Sequence, residues 1–123
     1  MKIRIKGNSI RLRLTRPEVE YFGAENYLEE KVDFGNSKLV YALSGSGNGN
    51  EMTADFENNK ITVRMPAQMA LAWTSTEKVG YDAECSLNDG RKLYILVEKD
   101  FKCLDNTVED QTANYPNPLA ENK

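Results

Sequence analysis

The sequence predicts an α+β fold, mainly β, in which a ββαββ unit is used twice and eight strands form an antiparallel, barrel-like sheet with two short helices. Three observations predict it. Lys38-Leu39-Val40-Tyr41-Ala42-Leu43 returns 54 positions on as Lys92-Leu93-Tyr94-Ile95-Leu96-Val97, and Glu30-Lys31-Val32-Asp33-Phe34 returns 47 positions on as Glu77-Lys78-Val79-Gly80-Tyr81. Ahead of each Glu-Lys-Val an alternating strand runs into a proline, Leu12 to Pro17 and then Ile61 to Pro66. Hairpin signals link the remaining strands. A unit of about 50 residues seen twice suggests a duplicated half-domain; a solenoid needs at least three repeats.

The elements follow in order. Lys2 to Lys6 alternates, with Ile3 and Ile5 on one face and Lys2, Arg4 and Lys6 on the other. Gly7-Asn8 tolerates positive φ and predicts a tight hairpin into a second strand carrying Ile10, Leu12 and Leu14 opposite Arg11 and Arg13. Thr15 and Glu18 match a capping box around Pro17, which opens a short helix that Gly23 is expected to end. Strands near Tyr27–Phe34 and Lys38–Leu43 complete the first half. Ser44 to Asn50 (Ser-Gly-Ser-Gly-Asn-Gly-Asn) reads as a flexible join. Strands near Met52–Phe56 and Lys60–Arg64 follow, turned by Asn58-Asn59. Pro66 opens a second helix with Met65, Met69 and Trp73 at i, i+4 spacing, a stripe that reads as core. Strands near Val79–Leu87 and Lys92–Glu98 are joined by Asn88-Asp89-Gly90. Residues 1–123 are therefore read as one domain: half-repeats 1–50 and 51–98, then a polar surface tail, 99–123.

Composition bounds the chemistry. The chain has 123 residues, 40% apolar, with a net charge of −3, which suits one modest core and points to neither a nucleic-acid binder nor an acidic disordered chain. Met1 to Lys6 alternates charge and apolar groups and offers no signal-peptide core; no apolar run approaches membrane-spanning length. The protein is read as cytoplasmic, with Cys85 and Cys103 as thiols. There is no histidine, which removes Ser-His-Asp and Cys-His catalysis and every histidine-containing zinc site.

Lys2, Arg4, Lys6, Arg11, Arg13 and Arg16 precede the first acid, Glu18. On paired strands the first five share a face and suit an anion, because guanidinium and ammonium groups match phosphate and carboxylate oxygens. The plain alternative is a solvated hairpin surface. A third reading has the tail acids Asp100, Asp105, Glu109 and Asp110 folding over that face and neutralising it. Asp100 to Cys103 resembles a helix start, where a thiol beside Lys99 and Lys102 would have a lowered pKa and be redox-sensitive. Glu98 and the tail acids fit no EF-hand spacing. Gly45, Gly47 and Gly49 lack the Lys-Ser/Thr and helix of a phosphate loop. No aromatic set interleaves with the basic hairpin, so neither nucleic acid nor a membrane is the expected partner, and no cofactor or metal is expected.

Two stretches, Met1-Lys2-Ile3-Arg4-Ile5-Lys6-Gly7-Asn8-Ser9-Ile10-Arg11-Leu12-Arg13-Leu14-Thr15-Arg16 and Val97-Glu98-Lys99-Asp100-Phe101-Lys102-Cys103-Leu104 with Glu109-Asp110 and Tyr115-Pro116-Asn117-Pro118, resemble a family of short bacterial proteins of unknown function. The resemblance spans essentially the whole chain and transfers no catalytic residue. It implies that the basic hairpin and the tail are the distinctive parts. It also implies an acid where Asn114 stands and Phe where Tyr115 stands, and the first departure weighs against a metal at the tail. In architecture, the predicted eight strands also resemble the triphosphate tunnel enzymes. Their Glu-x-Glu-x-Lys strand is here Lys2-Ile3-Arg4-Ile5-Lys6, without the acids. The expectation is thus a small binding or interaction domain, not an enzyme, whose partner is an anionic small molecule, an acidic protein surface or its own tail. The alternative is a phosphate-handling enzyme with Arg4, Arg11 and Arg13 as the clamp and Glu98 as base or metal ligand.

Overall fold

The computed structural model describes residues 1–100. The order is β1 (Lys2–Lys6), β2 (Ser9–Leu14), α1 (Arg16–Glu25), β3 (Tyr27–Asp33), β4 (Lys38–Gly45), β5 (Thr53–Glu57), β6 (Lys60–Met65), α2 (Ala67–Ser75), β7 (Gly80–Ser86) and β8 (Lys92–Lys99). Two runs of ββαββ are present, mainly β with two helices, as the sequence predicts.

The strands do not close into a barrel. They form two four-stranded sheets, β1-β2-β8-β7 and β3-β4-β6-β5. Nor are the sheets antiparallel throughout: β2 pairs with β8 and β4 with β6 in parallel. The physical reason lies in the helices. Each hairpin is antiparallel because its link is short, but α1 and α2 carry the chain from one sheet to the other. The hairpins of opposite halves then meet through their second strands, which run the same way. Each sheet therefore takes one hairpin from each half.

Exchanging the halves converts one strand order into the other. Ser9 and Lys60, each the first residue after its turn, face Tyr94 and Val40. Val40 and Tyr94 thus take corresponding places in the two parallel pairings, 54 positions apart. The match at 47 is not structurally equivalent. Glu30 to Val32 lie inside β3, whereas Glu77 to Val79 precede β7.

One buried cluster draws on both sheets and both helices. Leu12, Leu14, Ile95 and Val97 come from the first sheet, Leu43, Val63 and Met65 from the second, and Val19, Phe22, Ala70 and Trp73 from the helices. Phe22 and Trp73 meet edge to face, centroids 6.0 Å apart, and the Trp73 indole N–H donates to the Val79 carbonyl at 2.9 Å. Glu18 Oε1 accepts from the Thr15 backbone N–H at 2.8 Å, as the capping box requires. Gly23 does not end α1. The helix runs to Glu25 and stops at Asn26 in the left-handed region (φ 60), while Gly23 lets α2 approach, since a Cβ there would lie 3.2 Å from Thr74 Cβ. Gly45 belongs to β4, opposite Met65, with room for a Cβ limited by Phe22 at 3.1 Å. The join is correspondingly shorter than the glycine run suggests. No helix among the described residues is long and apolar enough to cross a membrane.

Candidate anion-binding face

The basic hairpin is built by its turn and by β8. Gly7 takes φ +57, Asn8 Nδ2 donates to the Lys92 carbonyl at 2.8 Å, and the Tyr94 N–H donates to the Asn8 carbonyl at 3.0 Å. This fixes the register of the whole sheet. Lys2 faces Arg13, Arg4 faces Arg11 and Lys6 faces Ser9 on β1–β2. Arg13 then sits beside Glu98, Arg11 beside Leu96 and Ser9 beside Tyr94. On β7, Gly80, Asp82 and Glu84 continue these three rows. Because side chains alternate along each strand, all of these share the face away from Leu12, Leu14, Ile95 and Val97. Five cations therefore stand on one side of this face, and Glu98, Asp82 and Glu84 on the other.

The cations are not equivalent. Arg11 donates to Glu98 Oε1 from both Nε, at 2.9 Å, and Nη2. Arg13 Nε lies 3.4 Å from the same oxygen, and Arg13 Nη2 lies 3.5 Å from Asp100 Oδ1. Lys2 Nζ is 3.8 Å from Asp100 Oδ2. Asp100 is 4% exposed, and its backbone N–H donates to the Leu14 carbonyl at 2.8 Å. Glu98, held by two guanidinium groups, is committed to organising the face and is badly placed to serve as a general base. Arg4 and Lys6 are exposed, and among the described residues neither side chain has a hydrogen bond or ion pair. A shallow depression of about 910 Å³ is lined by Arg4, Lys6 and Arg11 on one side and by Asp82 and Glu84 on the other, with half-exposed Tyr94 between them.

The five cations named from sequence thus do share a face. What sequence reasoning missed is the opposite wall and the counter-charge. Tyr94, Leu96 and Glu98 have one parity in their strand, a signal visible in Lys92–Lys99, but the pairing of β8 with β2 spans most of the chain. Cys103, Asp105, Glu109 and Asp110 lie outside the described residues. Cys85 is half-buried, its Sγ 3.3 Å from the Met52 carbonyl; burial, then the charge of Glu51, pushes its thiol pKa up. Among the described residues no group of three acidic or cysteine side chains is placed to hold a metal. The two separate sheets also remove the premise of a triphosphate tunnel, which requires eight strands around one channel.

The profile of a family of unknown function (DUF7009) matches residues 1–119. No curated protein and no solved structure matches the chain.

Proposed function

The chain belongs to DUF7009, a family of unknown function, and we propose from the chemistry of its own residues that it is a small binding domain whose β1–β2 face receives an anionic ligand. One observation carries this reading. Arg4 and Arg11 stand directly opposite each other on paired strands, and among the described residues only Arg11 has a carboxylate, Glu98. Like charges in that position are mutually destabilising. An anion seated against Arg4 and Lys6 relieves the repulsion and gains charge-assisted hydrogen bonds, while Glu98 keeps Arg11 in a fixed orientation. Arg11 and Arg13 position, and Arg4 and Lys6 bind. Tyr94 offers a flat surface beside them for the rest of the ligand. The matching topology of the halves, with the offset of 54 between β4 and β8, supports descent of both from one ββαββ unit.

Thermal-shift measurements with phosphate, triphosphate and a dicarboxylate, against chloride at matched ionic strength, test the reading, since a ligand that binds only the folded chain raises its melting temperature. The expected result is a rise with at least one of these that disappears in the Arg4→Gln/Lys6→Gln double variant. That variant should melt at or slightly above the wild type without ligand, because it removes like-charge repulsion from an exposed edge. Equal responses of wild type and double variant to every anion would overturn the reading.

A further inference from the structure

The face proposed for an anion carries charge of both signs, ordered across the sheet. Two of its rows run from β1 to β7 in the same pattern: Arg4, Arg11, Leu96, Asp82 and Lys6, Ser9, Tyr94, Glu84. Each row begins with a cation and ends with a carboxylate, and β8 places an uncharged side chain with an apolar body between them. Tyr94 is 48% exposed, so its ring is open to a ligand. On both walls one charge is already held by a counter-ion. Glu98 holds Arg11, and Lys92 Nζ lies 3.1 Å from Glu84 Oε1. Arg4 and Asp82, the two ends of a single row, have no ion pair among the described residues. They cannot serve each other. Neighbouring strands lie about 4.8 Å apart, so three spacings separate the two residues by roughly 14 Å, beyond the screening length of about 8 Å at physiological salt.

We propose that the ligand of this face is dipolar, with a carboxylate or phosphate at one end, an ammonium or guanidinium group at the other, and an apolar or aromatic middle. The proposal rests on the anion reading of the same face and adds what the far end of the ligand must carry. The anionic end meets Arg4 and Lys6. The cationic end meets Asp82, with Glu84 beside it, and the middle lies on Tyr94 and Leu96. Length follows from the rows. Taking a charge-assisted hydrogen bond of about 2.8 Å from each end of a row leaves roughly 9 Å between the ligand's charges. A free tripeptide, at about 3.3–3.6 Å per residue, spans that distance, and its termini have the required signs. The acids also select. A polyanion long enough to cross the sheet sets its negative charge against Asp82 and Glu84, and such a like-charge contact discriminates against it. A molecule with both signs at this separation gains at both walls.

The test titrates the full chain, ¹⁵N-labelled, with the tripeptide Gly-Phe-Gly and with its N-acetylated form, which keeps the carboxylate and loses the ammonium. Ionic strength is matched throughout, and inorganic phosphate serves as the plain anion. The free peptide should bind roughly fivefold more tightly than the acetylated one, the scale of one exposed ion pair, and should move the amides of both Lys6 and Asp82. Asp82→Asn should abolish the preference and Asp82→Glu should keep it; residue 82 is exposed, so both variants should melt like the wild type. Equal affinities for the two peptides overturn the dipolar ligand, as does a preference that survives in Asp82→Asn. So does binding of phosphate without binding of the free peptide. In each of these cases the anion reading stands if what binds is lost in Arg4→Gln/Lys6→Gln. No binding of phosphate or of either peptide, or binding that this double variant leaves unaltered, overturns the anion reading and the dipolar ligand with it.

Discussion

At position 80 a side chain has no room. A Cβ on Gly80 would lie 2.1 Å from the Val97 carbonyl oxygen and 2.8 Å from Glu98 Cα, so the backbone of β7 would have to leave β8 at the start of their pairing. Gly80→Ala should cost about 3 kcal/mol or more, read as a fall in urea midpoint; Gly7→Ala, with open space around it, should cost only about 1 kcal/mol from its left-handed φ. A second residue-scale feature is the Met1 α-amine, hydrogen-bonded to Glu18 and, at 2.7 Å, to Glu30. Burial alone would lower its pKa, but the hydrogen bonds to Glu18 and Glu30 outweigh that and hold it above its ordinary value. Burial would raise the pKa of Glu18; the bonds from the Met1 amine and the Thr15 N–H outweigh it and leave it depressed. A raised amine pKa contributes stability that is full below about pH 8, the unfolded value, and is lost as pH rises through the folded value. A depressed carboxyl contributes above about pH 4.3 and is lost as pH falls through its folded value. Melting temperature should therefore hold a plateau between these limits from this cluster. Glu30→Gln should lower the plateau and flatten its alkaline limb; an alkaline limb as steep as the wild type's would contradict the role of Glu30. Neither the crowding at position 80 nor the amine cluster is legible in the sequence. Gly80 reads there as one more strand residue, and residues 1, 18 and 30 become neighbours only through the packing of β1, α1 and β3.

At the scale of elements, the two helices are held by one aromatic contact and one missing side chain. Phe22 and Trp73 are fully buried against each other, and Gly23 lets Thr74 close to it. Phe22→Ala should cost about 3–5 kcal/mol and shift Trp73 emission in the folded protein, because the ring loses its edge-to-face partner; a native-like spectrum would show that α2 is positioned by its sheets alone. Local signals serve well here. Thr15, Glu18 and Pro17 start α1 as their chemistry dictates, Gly7-Asn8 and Asn58-Asn59 make their turns, and alternation places the cations of β1 and β2 on one face. Gly23 misleads because a glycine's two uses, ending a helix and letting another approach, look identical until the second helix is in place. Gly45 misleads for the same reason: in a run of glycines and serines it resembles a spacer, yet Phe22 and Ala70 press on it.

For the whole molecule, what the sequence does not reveal is which strands meet across the halves. Hairpin links imply antiparallel pairs, and those pairs are present. The contacts that join the halves, β2 with β8 and β4 with β6, carry no local signature and turn an expected barrel into two mixed sheets. The wall of Asp82, Glu84 and Glu98 opposite the basic hairpin is hidden by the same long-range pairing. This interleaving has a mechanical consequence. Because every sheet takes one hairpin from each half, a cut in the join near Gly49 leaves each fragment with two hairpins bound for different sheets, each without the strand that should flank it. An isolated two-stranded hairpin is at best marginal in water, and the apolar cluster has members on both sides of the cut. Fragments 1–49 and 50–123 made separately should each lack a cooperative unfolding transition, and mixing them should restore it together with the buried emission of Trp73. A fragment that melts cooperatively alone would mean that one half closes its own core, and the joint sheets would then be an association of two finished units.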